Sequence, residues 1–340
     1  MTSVLSVLAK KLRSKRLPIN LSILLKVLIK VSFALSYIAA FLTLYFLYPG
    51  SYERTWKGRA YYLFFIWLVL VEFTVNWGKI SVKIGRVKSK RFIALVTLIM
   101  LPTLYVLAAD FSGLNMLLMD LSPRHYGLDF WSMFMPLTVE YIVFTALSLS
   151  LAVLPYGIDG LRRFLLPIAL IGIVGLIFLI DGLYPFGEFT PFQIIVPSTA
   201  ILASMFLTLL GYKTELRGQI YGTQVLRVWS EKGEASFGIA WPCSGIDSLI
   251  MYSIITALFL RDSAVPRRLK VVYFLVGAVV TYFINILRVA EIFMLAIEYG
   301  ASSLEVQRFH DHYGPLYSII WIITYQLIMF CMRSLLKGKP

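Results

Sequence analysis

Three short stretches in the last third of this chain carry residue types that chemistry needs. They are Pro242-Cys243-Ser244-Gly245-Ile246, Asn285-Ile286-Leu287-Arg288-Val289 and His310-Asp311-His312-Tyr313-Gly314. A cysteine supplies a nucleophile, a guanidinium binds an oxyanion or a carboxylate, and a histidine carries protons. Together they form an acyl-transfer toolkit, provided that the fold gathers them.

Each motif also has a duller explanation. Cys243 follows a proline, and Ser244 and Asp247 have the Ser-x-x-Asp spacing of a capping box, which would set the thiol at the positive end of a helix and favour thiolate. Taken alone, a membrane cysteine is more often packing than chemistry. Asn285, Arg288 and Glu291 are spaced three apart on one helix face, so Arg288 either serves substrate or pairs with Glu291. His310 precedes Gly314 by four residues, and the glycine would let a neighbour approach the imidazole. A neutral His310 would titrate near ~6.5 unless pairing with thiolate raises it. His312 would face away if the stretch is helical.

Composition decides what positions these groups. With 59% hydrophobic and 15% charged residues over 340, the chain reads as a polytopic membrane protein. Its +14 charge lies in short clusters between apolar runs, a positive-inside pattern that argues against nucleic-acid binding. The start, with Lys10, Lys11, Arg13, Lys15 and Arg16, reads as an uncleaved cytoplasmic tail.

Apolar runs occur at about 31–49, 60–77, 92–109, 130–154, 163–184, 192–212, 243–260, 269–297 and 313–332. The basic clusters at Lys79 to Arg91, Arg162-Arg163, Arg261 to Lys270 and the tail after Arg333 all belong in the cytoplasm. Between Arg162-Arg163 and Arg261 the chain must therefore cross an even number of times, yet three runs intervene. The weakest, 192–212, holds Gln193, Pro197 and several hydroxyl residues and reads as interfacial or re-entrant. The expected fold is all-α, with about eight transmembrane helices, an interfacial helix and both termini inside. Cys243, Arg288 and His310 then converge on the extracytoplasmic side, in the plasma membrane. Cys243 and Cys331 fall at opposite ends of their helices, so no disulfide is expected.

The segment from Tyr212 to Trp241 alternates apolar residues around Glu231-Lys232-Gly233 and predicts a small β-hairpin leading into Pro242. Such a strand could form one wall of a peptide cleft. No zinc-type ligand spacing and no glycine-rich phosphate loop occurs, so no metal or cofactor is expected. Glu72 and Glu140 within apolar runs keep an ion pathway open, or are buried hydrogen-bond partners. His125 has no motif around it.

The three motifs, in this order, resemble the exosortase/archaeosortase family, whose pattern is Cys-Ser-Gly-Ile, then Asn-x-x-Arg, then His-x-x-x-Gly in exosortases. The segments Leu209-Leu210-Gly211-Tyr212 and Gly218-Gln219-Ile220 are also similar to the family's stretch ahead of the cysteine. The resemblance covers about 160–335. It implies a membrane cysteine transpeptidase with Cys243, Arg288 and His310 catalytic and Ser244, Gly245, Asn285 and Gly314 in support. Some archaeal members carry a second Arg at the third motif. The implied partners are secreted or surface proteins with a C-terminal sorting signal: a recognition motif, a hydrophobic helix and a basic tail. The implied acceptor is a lipid in the archaeal case. On this reading residues 156–340 form the catalytic transmembrane domain, and residues 1–155 are helices of unassigned role. A transporter and a non-catalytic surface-assembly protein are the competing readings.

Overall fold

A computed structural model describes residues 21–54, 57–78, 80, 90–122, 132–184, 191–220, 223–261, 263 and 265–337. The amino-terminal tail, most of the basic segment from Lys79 to Arg91, and His125 lie outside these residues. Helices come first: α1 Leu21–Leu47, α2 Ala60–Asn76, α3 Lys90–Phe111, α4 Leu114–Leu121, α5 Met135–Tyr156, α6 Ile158–Leu183 and α7 Ile195–Leu209. Three strands follow, β1 Lys213–Ile220, β2 Thr223–Ser230 and β3 Gly233–Ile239. The chain ends with α8 Ile246–Arg261, α9 Arg267–Tyr299, the short α10 Leu304–Arg308 and α11 Gly314–Lys337.

Among the described residues five helices are long and apolar enough to cross a membrane: Val27–Leu47, Lys90–Phe111, Ser132–Tyr156, Ile158–Leu183 and Arg267–Tyr299. Helices α2, α7 and α8, with 17, 15 and 16 residues, fall short of the roughly 20 that a full crossing takes. The fold is polytopic and helical as expected. The five account for part of the expected eight crossings, and the 24-residue helix Gly314–Lys337 is also long enough to be one.

The amino-terminal helices pack around an aromatic core. Phe33, Tyr37, Phe65, Tyr62, Tyr141 and Phe144 are fully buried, and Phe41 stacks on Tyr62 with ring centroids 4.5 Å apart. The phenols keep partners in this apolar setting, as buried polar tips must. Tyr37 donates to the Phe144 carbonyl (2.7 Å), and Tyr141 donates to the Gly58 carbonyl (2.9 Å). Helices α5 and α6 approach closely at Gly175, where an added Cβ would lie 3.0 Å from the Tyr141 Cβ.

The strands correct the expected hairpin. They form an antiparallel three-stranded sheet in the order β1-β2-β3, with Leu226 opposite both Leu216 and Phe237. The β2–β3 hairpin lies where alternation placed it. Strand β1, Lys-Thr-Glu-Leu-Arg-Gly-Gln-Ile, has too few apolar residues to signal a strand, and its backbone pairing with β2 creates it. Leu226 and Val228 of the central strand are fully buried. Strand β3 ends at Ile239, and the chain passes straight into the turn bearing Cys243.

Candidate active site

The cysteine turn is built by its neighbours. The Cys243 N–H donates to the Ala240 carbonyl (3.0 Å), closing a 3-10 turn over Trp241–Ser244. The Ser244 side chain, fully buried, donates back to the Trp241 carbonyl (2.6 Å). The capping-box spacing predicted a bond from an α8 N–H to this hydroxyl, whereas the bond observed is its donation to the preceding turn. Gly245 then adopts a left-handed conformation (φ +91°) that swings the chain into α8. An added Cβ there would also lie 2.9 Å from the Asn285 Cβ, so this glycine serves both conformation and space. Asn285, fully buried on α9, donates through Nδ2 to the Cys243 carbonyl (2.9 Å). Pro242, Ser244, Gly245 and Asn285 thus fix one turn around one thiol.

The second and third motifs meet this turn. His310 lies in a π-helical turn, Phe309–Tyr313, which joins α10 to α11. Such π-turns inside helices are frequent at functional sites. Its Nε2 lies 3.6 Å from the Cys243 Sγ, and its Nδ1 lies 2.9 Å from Asp311 Oδ1. A cysteine, a histidine and a carboxylate in series have the order that a nucleophile, a base and its orienter require. Arg288 donates through Nη2 to the His310 carbonyl (2.9 Å). Among the described residues it makes no ion pair with Glu291, and its buried Nε has no hydrogen-bond partner. The side-chain direction of His312 lies outside the described residues.

These contacts set the charge state. Burial pushes the Cys243 thiol up, but the hydrogen bond and charge of His310 and the charge of Arg288 outweigh it, so the thiol ionises below its ordinary range. The His310 imidazole is raised to about 9, first by its hydrogen bond to Cys243, against burial, and further by Asp311. Both shifts favour a thiolate beside an imidazolium. The His310 ring is the strongest of the groups that lower the thiol.

The site opens into a cavity of ≈560 Å³ lined by Cys243, His310, Arg288, Asp247, Arg54 and Tyr61 among others. A second cavity of ≈260 Å³ reaches the same thiol from the side of β3 and α9. Sequence reasoning missed a support behind the cysteine turn. Buried Trp241 donates through Nε1 to Asp181 Oδ1 (2.9 Å), and Asp181 Oδ2 pairs with Lys57 (2.9 Å), both side chains 2% exposed. Lys57 holds φ at 52°, a strained value for a residue with a side chain. An aspartate in the apolar run of α6 was the available signal. Asp311 was equally legible, adjacent to His310.

The acidic residues that kept an ion pathway open are engaged. Arg59 donates to both carboxylate oxygens of Glu140 (2.8 Å each), and Tyr62 adds a third bond (3.0 Å). Glu72, fully buried, pairs with Arg261 (2.8 Å), at the end of α8 opposite the cysteine turn. Among the described residues no cluster of His, Cys, Asp and Glu could hold a metal ion.

No curated protein and no solved structure matches the chain. The family model described as "Transmembrane exosortase" matches residues 56–327, a stretch that runs from beside Lys57 through all three motifs. The chain belongs to the transmembrane exosortase family.

Proposed function

We propose that this membrane protein is a cysteine transpeptidase. It cleaves the C-terminal sorting signal of secreted surface proteins at the extracytoplasmic face and transfers the new carboxyl end to a membrane lipid. The observation that carries the reading is the 3.6 Å approach of Cys243 Sγ to His310 Nε2, with Asp311 behind the ring. The thiolate attacks the scissile carbonyl. Arg288, its Nε without a partner, is the charged donor beside the site and would steady the developing oxyanion. The imidazolium gives its Nε2 proton to the leaving amine, and the neutral ring then accepts a proton from the incoming nucleophile.

A substrate ending in a hydrophobic helix and a basic tail would reach this site already spanning the membrane, with both of the enzyme's termini in the cytoplasm. Residues 156–340 carry the chemistry, and the segment before them braces it through Lys57, which pairs with Asp181. The test is Cys243→Ala expressed beside a tagged sorting-signal protein encoded in the same genome. Processing should stop while the variant still accumulates in the membrane. A normal rate of processing would rule out thiol chemistry.

A further inference from the structure

We infer that the smaller cavity is the acceptor site: it receives the second substrate, a protic nucleophile borne on an apolar chain. This inference rests on the transpeptidase reading and assigns its two substrates to two cavities. Cys243, His310 and Asp311 line both spaces, so the reactive pair stands in the wall between them.

Both cavities are mostly apolar, the larger through Phe64, Met251 and Ile322 among others, and they differ in the charged side chains that the larger adds. The larger presents Arg54, Asp247 and Arg288 and suits a peptide, whose backbone donors and acceptors need polar partners. The smaller is walled by Phe237, Ile239, Val289, Ile292, Phe293 and Val306, which offer a peptide backbone no side-chain hydrogen bonds. At ≈260 Å³ it holds one slender chain and excludes a helix, which is about 10–12 Å across. The hydrophobic helix of a sorting signal therefore cannot be its occupant. Its remaining polar lining, Gln307 with His310 and Asp311, includes the groups that take a proton.

The transfer step balances on these groups alone. After acylation Cys243 is a thioester and His310 is neutral, its proton having left with the first amine. A nucleophile entering from the smaller cavity forms a bond to the thioester carbon and gives its proton to His310 Nε2. The carbon–sulfur bond breaks toward Cys243, which restores the thiolate beside the imidazolium.

The experiment loads the full-length purified protein with p-nitrophenyl acetate, which acylates a reactive thiol and reports it by nitrophenolate release. Ethylamine and octylamine then compete with water at equal concentration in the same micelles. The ratio of amide to free acid should favour octylamine over ethylamine by about tenfold or more, since each buried methylene adds to binding. Ile292→Trp, which fills the cavity, should bring the two amines to near equality, and Ile292→Ala should move the preference toward longer chains. The ratio is read within each variant, so a drop in folded protein leaves it unchanged. Octanol in place of octylamine tells a hydroxyl from an amine acceptor. Nitrophenolate release with a chain-length ratio identical in all three proteins would overturn the acceptor site and leave thiol chemistry standing. No release from the wild-type protein, or release unaltered in Cys243→Ala, would overturn both.

Discussion

A single methyl group added at Gly314 would lie 2.6 Å from Nε of Arg288. Gly314 has ordinary helical torsions, so the glycine there provides space and not conformation. Gly314→Ala must displace the guanidinium that holds the His310 carbonyl, and misplacing a catalytic group by about 1 Å can cost on the order of 10²-fold in rate. Gly314→Ala should accumulate normally and process substrate at least about tenfold more slowly. Undiminished turnover would mean that Arg288 is free to move without consequence.

Arg288→Ala should cost ~10²-fold or more in processing, the usual loss for an oxyanion donor. Arg288→Lys should rescue little, because an ammonium cannot hold the His310 carbonyl and present a second N–H in one plane. Rates for both variants on one substrate check this. Full rescue by lysine would reduce the role of Arg288 to charge alone.

The pH dependence follows from the raised histidine and the lowered cysteine. Cys243 gains its thiolate as pH rises through a value below the ordinary thiol range, and His310 loses its proton near about 9. Turnover should therefore be bell-shaped, with the alkaline limb near 9 instead of near the ~6.5 of an unperturbed imidazole. In His310→Ala the alkylation of Cys243 by iodoacetamide should slow at pH 7, and its midpoint should move upward, because burial then acts unopposed by the ring. An unshifted midpoint would place the source of thiolate elsewhere.

Asp311→Asn removes the negative charge behind His310 Nδ1 and leaves a neutral amide oxygen as acceptor. Both side chains of that pair are about half exposed (43% and 52%), so water already screens part of that charge. A drop of about tenfold is expected, well below the loss in His310→Ala. His312→Ala should be mild. A dead His312→Ala beside a normal His310→Ala would reverse the assignment.

Breaking the pair behind the turn should be a stability effect. Asp181→Ala leaves the Lys57 ammonium buried and unpaired, which typically costs about 3–5 kcal/mol, whereas replacing both with apolar residues is often close to neutral. The midpoint of thermal aggregation in detergent should fall in Asp181→Ala and recover in Lys57→Met/Asp181→Leu. Recovery of stability without recovery of rate would show that the Asp181 bond to Trp241 also positions Cys243.

The site was more legible than the architecture. Cys243, Arg288 and His310 announced themselves by residue type in apolar surroundings, and the fold brings all three together. Asn285, Gly245 and Gly314 were readable as motif members, but their jobs were not, since each depends on a contact across 26 to 42 positions of chain. Lys57 was hidden because its partner is 124 positions away and its backbone strain leaves no mark on sequence. Strand β1 was hidden for the opposite reason: its own residues barely favour a strand, and its neighbour supplies the pairing. Span number is the least legible quantity, because helices of 15 to 17 residues sit at the border between crossing and interfacial lengths.

The bond from Trp241 to Asp181 and on to Lys57 has a consequence for how such a site could be borrowed or transplanted. Three motifs within about seventy residues invite treatment as a portable cassette, to be grafted onto another helical scaffold. Yet the indole next to the nucleophile rests on a carboxylate from α6, and that carboxylate rests on an ammonium from the loop before α2. A host lacking that lysine and aspartate would inherit the reacting groups without the anvil behind them. The smallest transferable unit therefore begins ahead of Lys57.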